Sequence, residues 1–410
     1  MHGSSRYAAL AVSPDTHAFA WGDNGAGMLD QDAAPSSLTS LDVATPTLIL
    51  PGMQFTGALQ ATMGERSGAL LLSDGALYAW GDNGSRQLGA DADSQPVLLP
   101  INVFDLTGKP SLVNAVQAEI GDANGVALMH DGGVISWGNF AGDGSTANDR
   151  LPAQVVAPGG GAPLTHAVAV SAGWNYSLAL TDDGKVLAWG FESNTGALGS
   201  GTVISGSVVT PGYVLRADGT PLTGIVQVSA GYDFSLALAA DGTVWAWGDN
   251  AYGELGQPTI GGASAVAVQV QGPGVGGKLD RIAMVAAGGH HALALDLDGH
   301  VLAWGYSPDG ALGDGANKPV VNQTSVPRAV VDESGSISGL SGIASIAAGY
   351  ADSYALGTDG RVLSWGSNFH GALGRPSAAS TDNTPARVMT AGGVLTLSPD
   401  AYPNPLRHAR

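Results

Sequence analysis

Short apolar runs repeat along this chain, and glycine bends and Asp-Gly turns separate them. The stretch 225–248 shows the unit in full. It contains Ile225-Val-Gln-Val-Ser-Ala-Gly231, Phe234-Ser-Leu-Ala-Leu238 and Thr243-Val-Trp-Ala-Trp247-Gly248, with the turn Asp241-Gly242 before the last run. Runs of this length between turn residues predict three strands of a small antiparallel sheet. Asp-Gly favours a tight hairpin because both central residues of such a turn need positive φ.

Trp-Gly pairs mark this unit seven times, at intervals of 59, 57, 52, 58, 57 and 61 residues. The pairs are Trp21-Gly22, Trp80-Gly81, Trp137-Gly138, Trp189-Gly190, Trp247-Gly248, Trp304-Gly305 and Trp365-Gly366. Self-similarity at so regular a spacing is the sequence signature of a repeat architecture. The whole chain is therefore expected to be one repeat array.

A fourth β-prone run follows a variable loop and often opens with proline, as at Pro152, Pro327 and Pro385. A proline at the start of a strand is tolerated on the outer edge of a sheet. Four strands in each of seven units predict an all-β fold, a seven-bladed β-propeller with four-stranded antiparallel blades. Residues 1–410 are expected to form this single domain of seven repeats, with a short C-terminal tail at residues 399–410.

The two ends of the chain suggest how the ring closes. The first unit begins at the second strand of the repeat and lacks the strand before it. Near the other end, Gly393-Val-Leu-Thr-Leu-Ser398 resembles Gly224-Ile-Val-Gln-Val-Ser229, which is the run missing at the start. We expect residues 393–398 to complete the blade begun by residues 6–22, so that pairing of the N- and C-terminal segments closes the ring.

The charge balance narrows the class of partner. Sixteen lysines and arginines against 35 aspartates and glutamates give a formal net charge of −19, which repels a phosphate backbone. No nucleic-acid partner is therefore expected, whereas a basic protein partner suits the charge. No apolar run approaches the length of about 18 residues that a membrane helix needs, so we expect no membrane insertion. The chain is expected to act as a monomer.

The sequence leaves the compartment open. The chain contains no cysteine and so offers no disulfide framework. Residues 1–6 lack the apolar core of a secretory signal. Four lysines, with abundant Gly, Ser, Thr and Ala, favour a bacterial protein in an extracytoplasmic or secreted setting over the cytoplasm.

No motif for catalysis, a cofactor or a metal is found. The sequence has no glycine-rich phosphate loop with lysine, no Gly-x-Ser-x-Gly elbow and no zinc spacing. The adjacent His290 and His291 point to opposite sides of a strand, so a metal site built from this pair alone is not expected. We therefore expect a non-enzymatic protein without cofactor or bound metal.

Aromatic residues recur at one position of the repeat. The two residues after each bend glycine are expected at loop tips on one face of the ring, and the fourth to seventh units place aromatic side chains there. The candidate partner-binding residues are Trp174, Asn175, Tyr232, Asp233, His290 and Tyr350. Exposed aromatic residues gathered on one arc are typical of protein-binding hot spots. The alternative is that these side chains lie flat over the central channel and only cover it.

The repeat resembles that of the regulator of chromosome condensation family. The family pattern reads Ala-Gly-x-x-His-x-x-Ala-Leu, then Asp-Gly, then Val-x-x-Trp-Gly-x-Asn-x-x-Gly-x-Leu-Gly. The sixth unit matches it with Ala287-Gly-Gly-His-His291-Ala-Leu-Ala-Leu295, Asp298-Gly299, Trp304-Gly305 and Gly310-Ala-Leu-Gly313. The third unit departs from it, because Trp137-Gly-Asn-Phe-Ala-Gly-Asp-Gly144 lacks the closing Leu-Gly.

This resemblance implies a propeller fold and several possible functions. Members of the family include an exchange factor for a small nuclear GTPase, a plant ultraviolet photoreceptor and secreted inhibitors of β-lactamase, in which aromatic residues of similar loops contact the enzyme. The favoured hypothesis is a protein-interaction scaffold. The alternatives are guanine-nucleotide exchange on a small GTPase, inhibition of an enzyme such as a β-lactamase, and a hydrolase or lyase that acts on a polymer in the central channel. A pair of close carboxylates in the channel would favour the last.

Overall fold

The computed structural model describes residues 8–13, 17–23, 43–48, 57–90, 97–109, 112–146, 151–273, 277–315, 323–375, 380–390 and 393–397. These residues form 29 short β-strands and one 3-10 helix at Phe369–Gly371. Neighbouring strands pair antiparallel. Within the described ranges no helix has the length and apolarity needed to cross a membrane.

Six sheets have four strands each, in chain order from the axis outwards. Their strands are β4 Ala58–Met63, β5 Ser67–Leu72, β6 Leu77–Gly81 and β7 Val97–Asn102; β8 Ala115–Ile120, β9 Asn124–Met129, β10 Val134–Gly138 and β11 Ala153–Gln154; β12 Ala167–Ala172, β13 Tyr176–Thr181, β14 Val186–Ser193 and β15 Ser205–Tyr213; β16 Ile225–Ala230, β17 Phe234–Ala239, β18 Val244–Asp249 and β19 Ala263–Gln269; β20 Ile282–Ala287, β21 His291–Asp296, β22 Val301–Tyr306 and β23 Gln323–Ala329; β24 Ile343–Ala348, β25 Asp352–Gly357, β26 Val362–Ser367 and β27 Thr381–Arg387. The first strand of each sheet contacts the first strand of the next, so these strands surround a common axis. The predicted all-β propeller with four-stranded antiparallel blades is confirmed.

The predicted number of blades is wrong. Six blades, not seven, have four strands among the described residues. The first sheet has three strands in the described part of the chain, β1 Ala8–Val12, β2 Ala18–Gly22 and β3 Val43–Leu48. Among the described residues, the last two strands, β28 Met389–Thr390 and β29 Gly393–Val394, pair with each other.

Closure of the ring by residues 393–398 is not confirmed. In the described part of this segment, Leu397 N–H donates to the Gly360 carbonyl at 2.8 Å, and Val362 N–H donates to the Leu395 carbonyl at 3.3 Å. Both bonds join the segment to the last four-stranded blade, whereas the described partner of β1 is β2. Residue 398 and the predicted tail at residues 399–410 lie outside the described residues.

Side chains nevertheless connect the first sheet with the last blade. The indole N–H of Trp21 donates to the Ala372 carbonyl at 2.8 Å. The same ring meets Tyr354 edge-on, with centroids 6.1 Å apart. Leu395 and Leu397 are buried in the same apolar cluster as Trp21. The two ends of the repeat array are therefore packed against one another.

The tryptophan of each Trp-Gly pair is fully buried between neighbouring units. The indole N–H of Trp247 donates to the Ala197 carbonyl of the preceding unit at 2.9 Å, and that of Trp304 donates to the Glu254 carbonyl at 2.8 Å. The Nε1 of Trp189 has no hydrogen-bond partner in the described part of the chain. The third unit, which precedes it, lacks the closing Leu-Gly segment whose equivalent supplies the carbonyl elsewhere.

Pro152 directly precedes the outer strand β11, whereas the other two prolines lie inside the outer strand instead of at its start. Pro327 falls within β23 and Pro385 within β27, each the last strand of its sheet. The pairing of both strands shifts register at these prolines. Each proline therefore occupies a point where the ladder is interrupted and its missing N–H costs little.

Candidate functional site

The bend glycines crowd round the axis of the propeller. Five of them line one pocket: Gly64, Gly121, Gly173, Gly231 and Gly288. A Cβ on Gly64 would overlap the Gly121 carbonyl, and a Cβ on Gly121 would overlap the Gly173 carbonyl. Neighbouring backbones thus approach too closely for a side chain, which only glycine allows. The residues that follow each glycine are held at the rim of the axis.

Four aromatic side chains at this rim pack against one another. Trp174 and Tyr232 stack with centroids 4.3 Å apart and planes at 14°. Tyr350 meets Tyr232 edge-on at 5.8 Å. His290 lies 5.3 Å from the Tyr232 ring and 5.9 Å from the Tyr350 ring. We call Trp174, Tyr232, His290 and Tyr350 the aromatic face; all four are half-buried.

Gly289 explains why the sixth unit presents a histidine here. It occupies the position that Trp174 and Tyr232 hold in the preceding units, directly after the bend glycine. A Cβ on Gly289 would overlap the Tyr350 carbonyl. Tyr350 therefore fills this space, and His290, one residue later, supplies the ring of the sixth unit.

Two further tyrosines extend the aromatic face. Tyr252 and Tyr306 stack at a centroid distance of 4.1 Å, and Tyr252 meets His290 edge-on at 5.6 Å. Neither tyrosine was predicted from the sequence, because the aromatic pattern was recognised only in the loops after the bend glycines. Tyr252 lies four residues after the Trp247-Gly248 pair, and Tyr306 directly follows Trp304-Gly305 at the end of β22. Aromatic residues shortly after two consecutive Trp-Gly pairs were therefore the available signal.

A pocket open to solvent lies beside the aromatic face. Trp174, Tyr232 and Tyr350 line one part of it, and Glu65 and Asp122 line another. The indole N–H of Trp174 donates to Asp122 Oδ2 at 2.8 Å. Burial, with repulsion from Glu65, raises the pKa of Asp122 to about 6. Aromatic rings and carboxylates together favour a cationic group in this pocket.

The other two predicted residues lie beside the aromatic face. The Asn175 carbonyl accepts a hydrogen bond from Phe191 N–H at 2.8 Å, and the Asp233 carbonyl accepts one from Asp249 N–H at 2.9 Å. These bonds anchor the loops that carry Trp174 and Tyr232. Burial and repulsion from Asp249 raise the pKa of the Asp233 carboxyl to about 6.

A second polar group adjoins the aromatic face. Ligand-type atoms of Asp249, Glu254 and His290 all lie within 4.8 Å of one another. His290 Nδ1 is 3.5 Å from Glu254 Oε1, and the Glu254 side chain is 0% exposed. This group was not predicted from the sequence, because its members come from two successive units that only the fold brings together.

The residue three positions after each bend glycine has a structural role. His291 Nε2 lies 2.9 Å from the hydroxyl of Ser353 in the next unit. The Tyr176 hydroxyl donates to the Phe234 carbonyl of the next unit at 2.6 Å. Burial lowers the pKa of His291 to about 3, which keeps the ring neutral. These side chains join the units instead of facing a ligand.

One pair of carboxylates bears on the hydrolase alternative. Glu65 and Asp122 line the same pocket, and repulsion from Glu65 contributes to the raised pKa of Asp122. The two carboxyl groups of a glycoside hydrolase stand about 5 Å or more apart, so that a nucleophile or a water fits between them and the sugar. Asp122 and Glu65 are thus the candidate carboxylates of the hydrolase alternative, which stays a prediction.

The repeat pattern and the fold agree with the comparison against known families. A family model for the RCC1-like domain matches residues 110–399, which is more than half of the chain. The chain belongs to the RCC1-like domain family. A model for the regulator of chromosome condensation (RCC1) repeat also matches, at residues 74–128. The resemblance inferred from the sequence is confirmed.

Relatives of this RCC1-like domain occur in plants and animals. The chain is 29% identical over 324 residues to the RCC1 domain-containing protein RUG3, mitochondrial, of Arabidopsis thaliana, covering 78% of the chain and 67% of RUG3. It is 28% identical over 310 residues to the ultraviolet-B receptor UVR8 of the same plant, covering 74% of the chain and 64% of the receptor. The probable E3 ubiquitin-protein ligase HERC6 of Homo sapiens is 37% identical over 208 residues, which is 50% of the chain but 19% of that protein. None of the three supports the bacterial or extracytoplasmic expectation.

Solved structures show the same fold. The structure of human WBSCR16 superposes with a TM-score of 0.73 at 24% identity, covering 92% of this chain and 95% of that one. Yeast RCC1 (Prp20) bound to Kap60 superposes with a TM-score of 0.72 at 20% identity, covering 100% of this chain and 93% of that one. At these identities the likeness concerns the propeller alone.

Proposed function

We propose that this RCC1-like domain is a non-enzymatic protein-interaction scaffold that binds a protein partner through the aromatic face. The observation that carries the proposal is the stack of Trp174 on Tyr232 at the mouth of the acidic pocket. Tryptophan and tyrosine dominate the binding energy of protein interfaces when they can be buried by a partner. Both rings are half-buried in the free chain and so retain surface to bury.

The packing of the aromatic face prepares it for binding. Tyr232 contacts the rings of Trp174, His290 and Tyr350, so its position is set before a partner arrives. The Trp174 indole is additionally fixed by its hydrogen bond to Asp122. Side chains that are already ordered lose little rotamer entropy on docking, which leaves more of the contact energy for affinity.

The charge of the pocket indicates the chemistry of the partner. Glu65 and Asp122 line the same pocket as the Trp174 and Tyr232 rings, and the chain has a net charge of −19. A lysine or arginine side chain gains from both the carboxylates and the aromatic faces. We therefore expect a basic segment of the partner to enter the pocket.

Affinity capture from native lysate and culture medium tests the proposal. The bait is the intact chain, compared with the triple variant Trp174→Ala, Tyr232→Ala, Tyr350→Ala. The matched control is Tyr213→Ala, which removes an exposed aromatic residue from the outer strand β15. Circular dichroism and thermal unfolding confirm that each bait is folded.

A protein recovered by the intact chain and by the Tyr213→Ala control, but lost with the triple variant, supports the proposal. Recovery of the same proteins by all three baits contradicts it and directs attention away from the aromatic face. Failure of the intact chain to recover any protein from either source counts against the scaffold function itself.

Guanine-nucleotide exchange is the main alternative within the family. The solved structure of yeast Prp20p is described together with its binding to Gsp1p and histones. The described residues contain no segment that we can assign to the displacement of a nucleotide from a GTPase. Release of a fluorescent guanine nucleotide from a small GTPase measures this activity directly; acceleration by the chain would establish the alternative.

A further inference from the structure

The fifth unit replaces a neutral residue of the repeat with a buried carboxylate. Gln87 in the second unit and Glu254 in the fifth occupy the same position, six residues after the glycine of Trp-Gly. Both accept a backbone hydrogen bond in the same loop: Gln87 Oε1 from Ser85 N–H at 2.9 Å, and Glu254 Oε2 from Tyr252 N–H at 2.8 Å. The local fold is therefore unchanged by the replacement.

The side chain at this position lies close to an aspartate in both units. Gln87 Nε2 donates to Asp82 Oδ2 at 3.4 Å, so an amide meets a carboxylate. In the fifth unit the corresponding pair is Glu254 and Asp249, so two carboxylates meet. Two carboxylates repel each other unless a proton or a cation lies between them.

Glu254 Oε1 accepts no hydrogen bond from the described residues. It is buried, and a buried carboxylate oxygen normally has a hydrogen-bond partner. Asp249 uses Oδ1 to accept the backbone N–H groups of Asn250 and Ala251. Its other oxygen takes part in neither bond. In the described part of the chain, neither carboxylate forms an ion pair with lysine or arginine.

A third ligand comes from the neighbouring unit at the same place. The residue that corresponds to His290 beside the Asp82–Gln87 pair is Ala123, which has no polar side chain. The glutamate and the histidine therefore occur together at this one point of the repeat. His290 Nδ1 lies 3.5 Å from Glu254 Oε1. Two ligand atoms bound to one tetrahedral zinc ion with bonds of about 2.1 Å are about 3.4 Å apart.

We propose that Asp249, Glu254 and His290 form a binding site for a divalent transition-metal ion of the Zn²⁺ type. One imidazole and two carboxylates suit a borderline ion better than Ca²⁺ or Mg²⁺, which prefer oxygen ligands only. The ligand atoms lie within 4.8 Å of one another, and binding draws the half-buried Asp249 side chain inwards to complete the set. Three protein ligands leave a fourth position for water or for a group of a partner.

The surroundings orient the ligands. The Tyr252 ring packs edge-on against His290, and the Tyr306 ring does the same at 6.5 Å. The Glu254 carbonyl accepts the indole N–H of Trp304, which fixes the loop. The His290 side chain is 23% exposed, so an ion can reach the site from solvent. His290 belongs both to this site and to the aromatic face, whereas Asp249 and Glu254 belong to the site alone.

Isothermal titration of the metal-free chain with Zn²⁺ tests the site, with Co²⁺ as a spectroscopic probe of the ligand geometry. We expect one ion per chain and visible Co²⁺ absorption bands of a four-coordinate site. Glu254→Gln restores the residue found at Gln87 and keeps the Tyr252 hydrogen bond, so the variant should fold. It should lower the Zn²⁺ affinity at least about tenfold.

A matched control separates this site from surface histidines. His300 lies 3.2 Å from Asp296 at the surface without a second buried carboxylate, and His300→Ala should leave the affinity unchanged. Absence of binding by the intact chain overturns the proposal, because the group is then held together by the contact between His290 and Glu254 alone. Equal affinity of the intact chain and Glu254→Gln overturns it as well. Since Glu254 is not part of the aromatic face, loss of Zn²⁺ binding with retained partner capture distinguishes the two proposals.

Discussion

Asp352 is a buried carboxyl inside the propeller. Asp352 occupies the position of His291 and Tyr176 in the last four-stranded blade, where its Oδ2 accepts the Tyr354 hydroxyl at 2.8 Å. Burial raises the pKa of Asp352 to about 8. The carboxyl is therefore protonated in the folded chain over much of the range in which it is ionised when unfolded.

The raised pKa of Asp352 predicts a pH dependence of stability. Because the folded value of about 8 is above the ordinary value of 3.8, the contribution to the free energy of unfolding is full below pH 3.8 and is lost as the pH rises to about 8. The slope within this window reaches about 1.4 kcal/mol per pH unit. Asp352→Asn removes the titrating group and should flatten the dependence in urea unfolding between pH 5 and pH 8. A slope equal to that of the intact chain would contradict the assignment.

At the residue scale the sequence predicted some members of the site and missed others. Trp174, Tyr232 and Tyr350 were predictable because their spacing from the bend glycine is fixed by the repeat. Glu254 was not, because its significance depends on His290 of the next unit lying 3.5 Å away. A contact between units is set by the packing of the blades, which the pattern of one unit does not contain.

Among the elements, the bend between the first and second strands of a blade controls the approach to the axis. Gly121 lies against the Gly173 backbone of the next unit, and Gly64 lies against Gly121 in the same way. These bends hold the loops of the aromatic face in place, so the stability of the ring and the geometry of the site depend on the same glycines.

Gly121→Ala tests the importance of this close approach. The added methyl group would overlap the Gly173 carbonyl, so the backbones of two blades must separate. Overpacking of this kind costs about 1–3 kcal/mol, which should lower the midpoint of thermal unfolding. Gly212→Ala is the control, because nothing lies within 4 Å of a Cβ placed at this position of β15. Equal midpoints of thermal unfolding for the two variants would show that the glycine contacts at the axis do not determine the stability of the ring.

The strand pattern itself was largely predictable, and its exceptions have physical causes. Asp-Gly turns and Trp-Gly pairs marked the second and third strands of the four-stranded blades, although only the glycine of each Asp-Gly turn has a positive φ, not both residues as expected. The outer strands were placed less well: Pro327 and Pro385 lie inside β23 and β27, where the pairing shifts register. A register shift depends on the partner strand and so leaves no mark in the proline position alone.

For the whole molecule, counting repeats overestimated the number of complete blades. Seven Trp-Gly pairs are present, yet six described sheets have four strands. The first sheet has three strands, and the segment expected to complete it is hydrogen-bonded to the last blade at Gly360 and Val362. A repeat count measures local similarity, whereas completion of a sheet depends on contacts between residues more than 300 positions apart.

The scaffold account also concerns the whole molecule, because blades distant in sequence contribute to one surface. Trp174 and Tyr350 lie three units apart along the chain, yet both contact the Tyr232 ring. Trp174 stacks on this ring, and Tyr350 meets it edge-on. Their arrangement exists only when the propeller is assembled. Binding through this surface should therefore require the folded ring.

The most direct test of the central claim is the dissociation constant of the captured partner for the Tyr232→Ala variant, compared with the intact chain and with Tyr213→Ala. Tyr232 contacts the other three rings of the aromatic face, so its removal should weaken binding by about 2 kcal/mol or more, roughly 30-fold. Tyr213→Ala should leave the constant unchanged. An unchanged constant for a folded Tyr232→Ala variant would contradict the account, since the aromatic face would then not bind the partner.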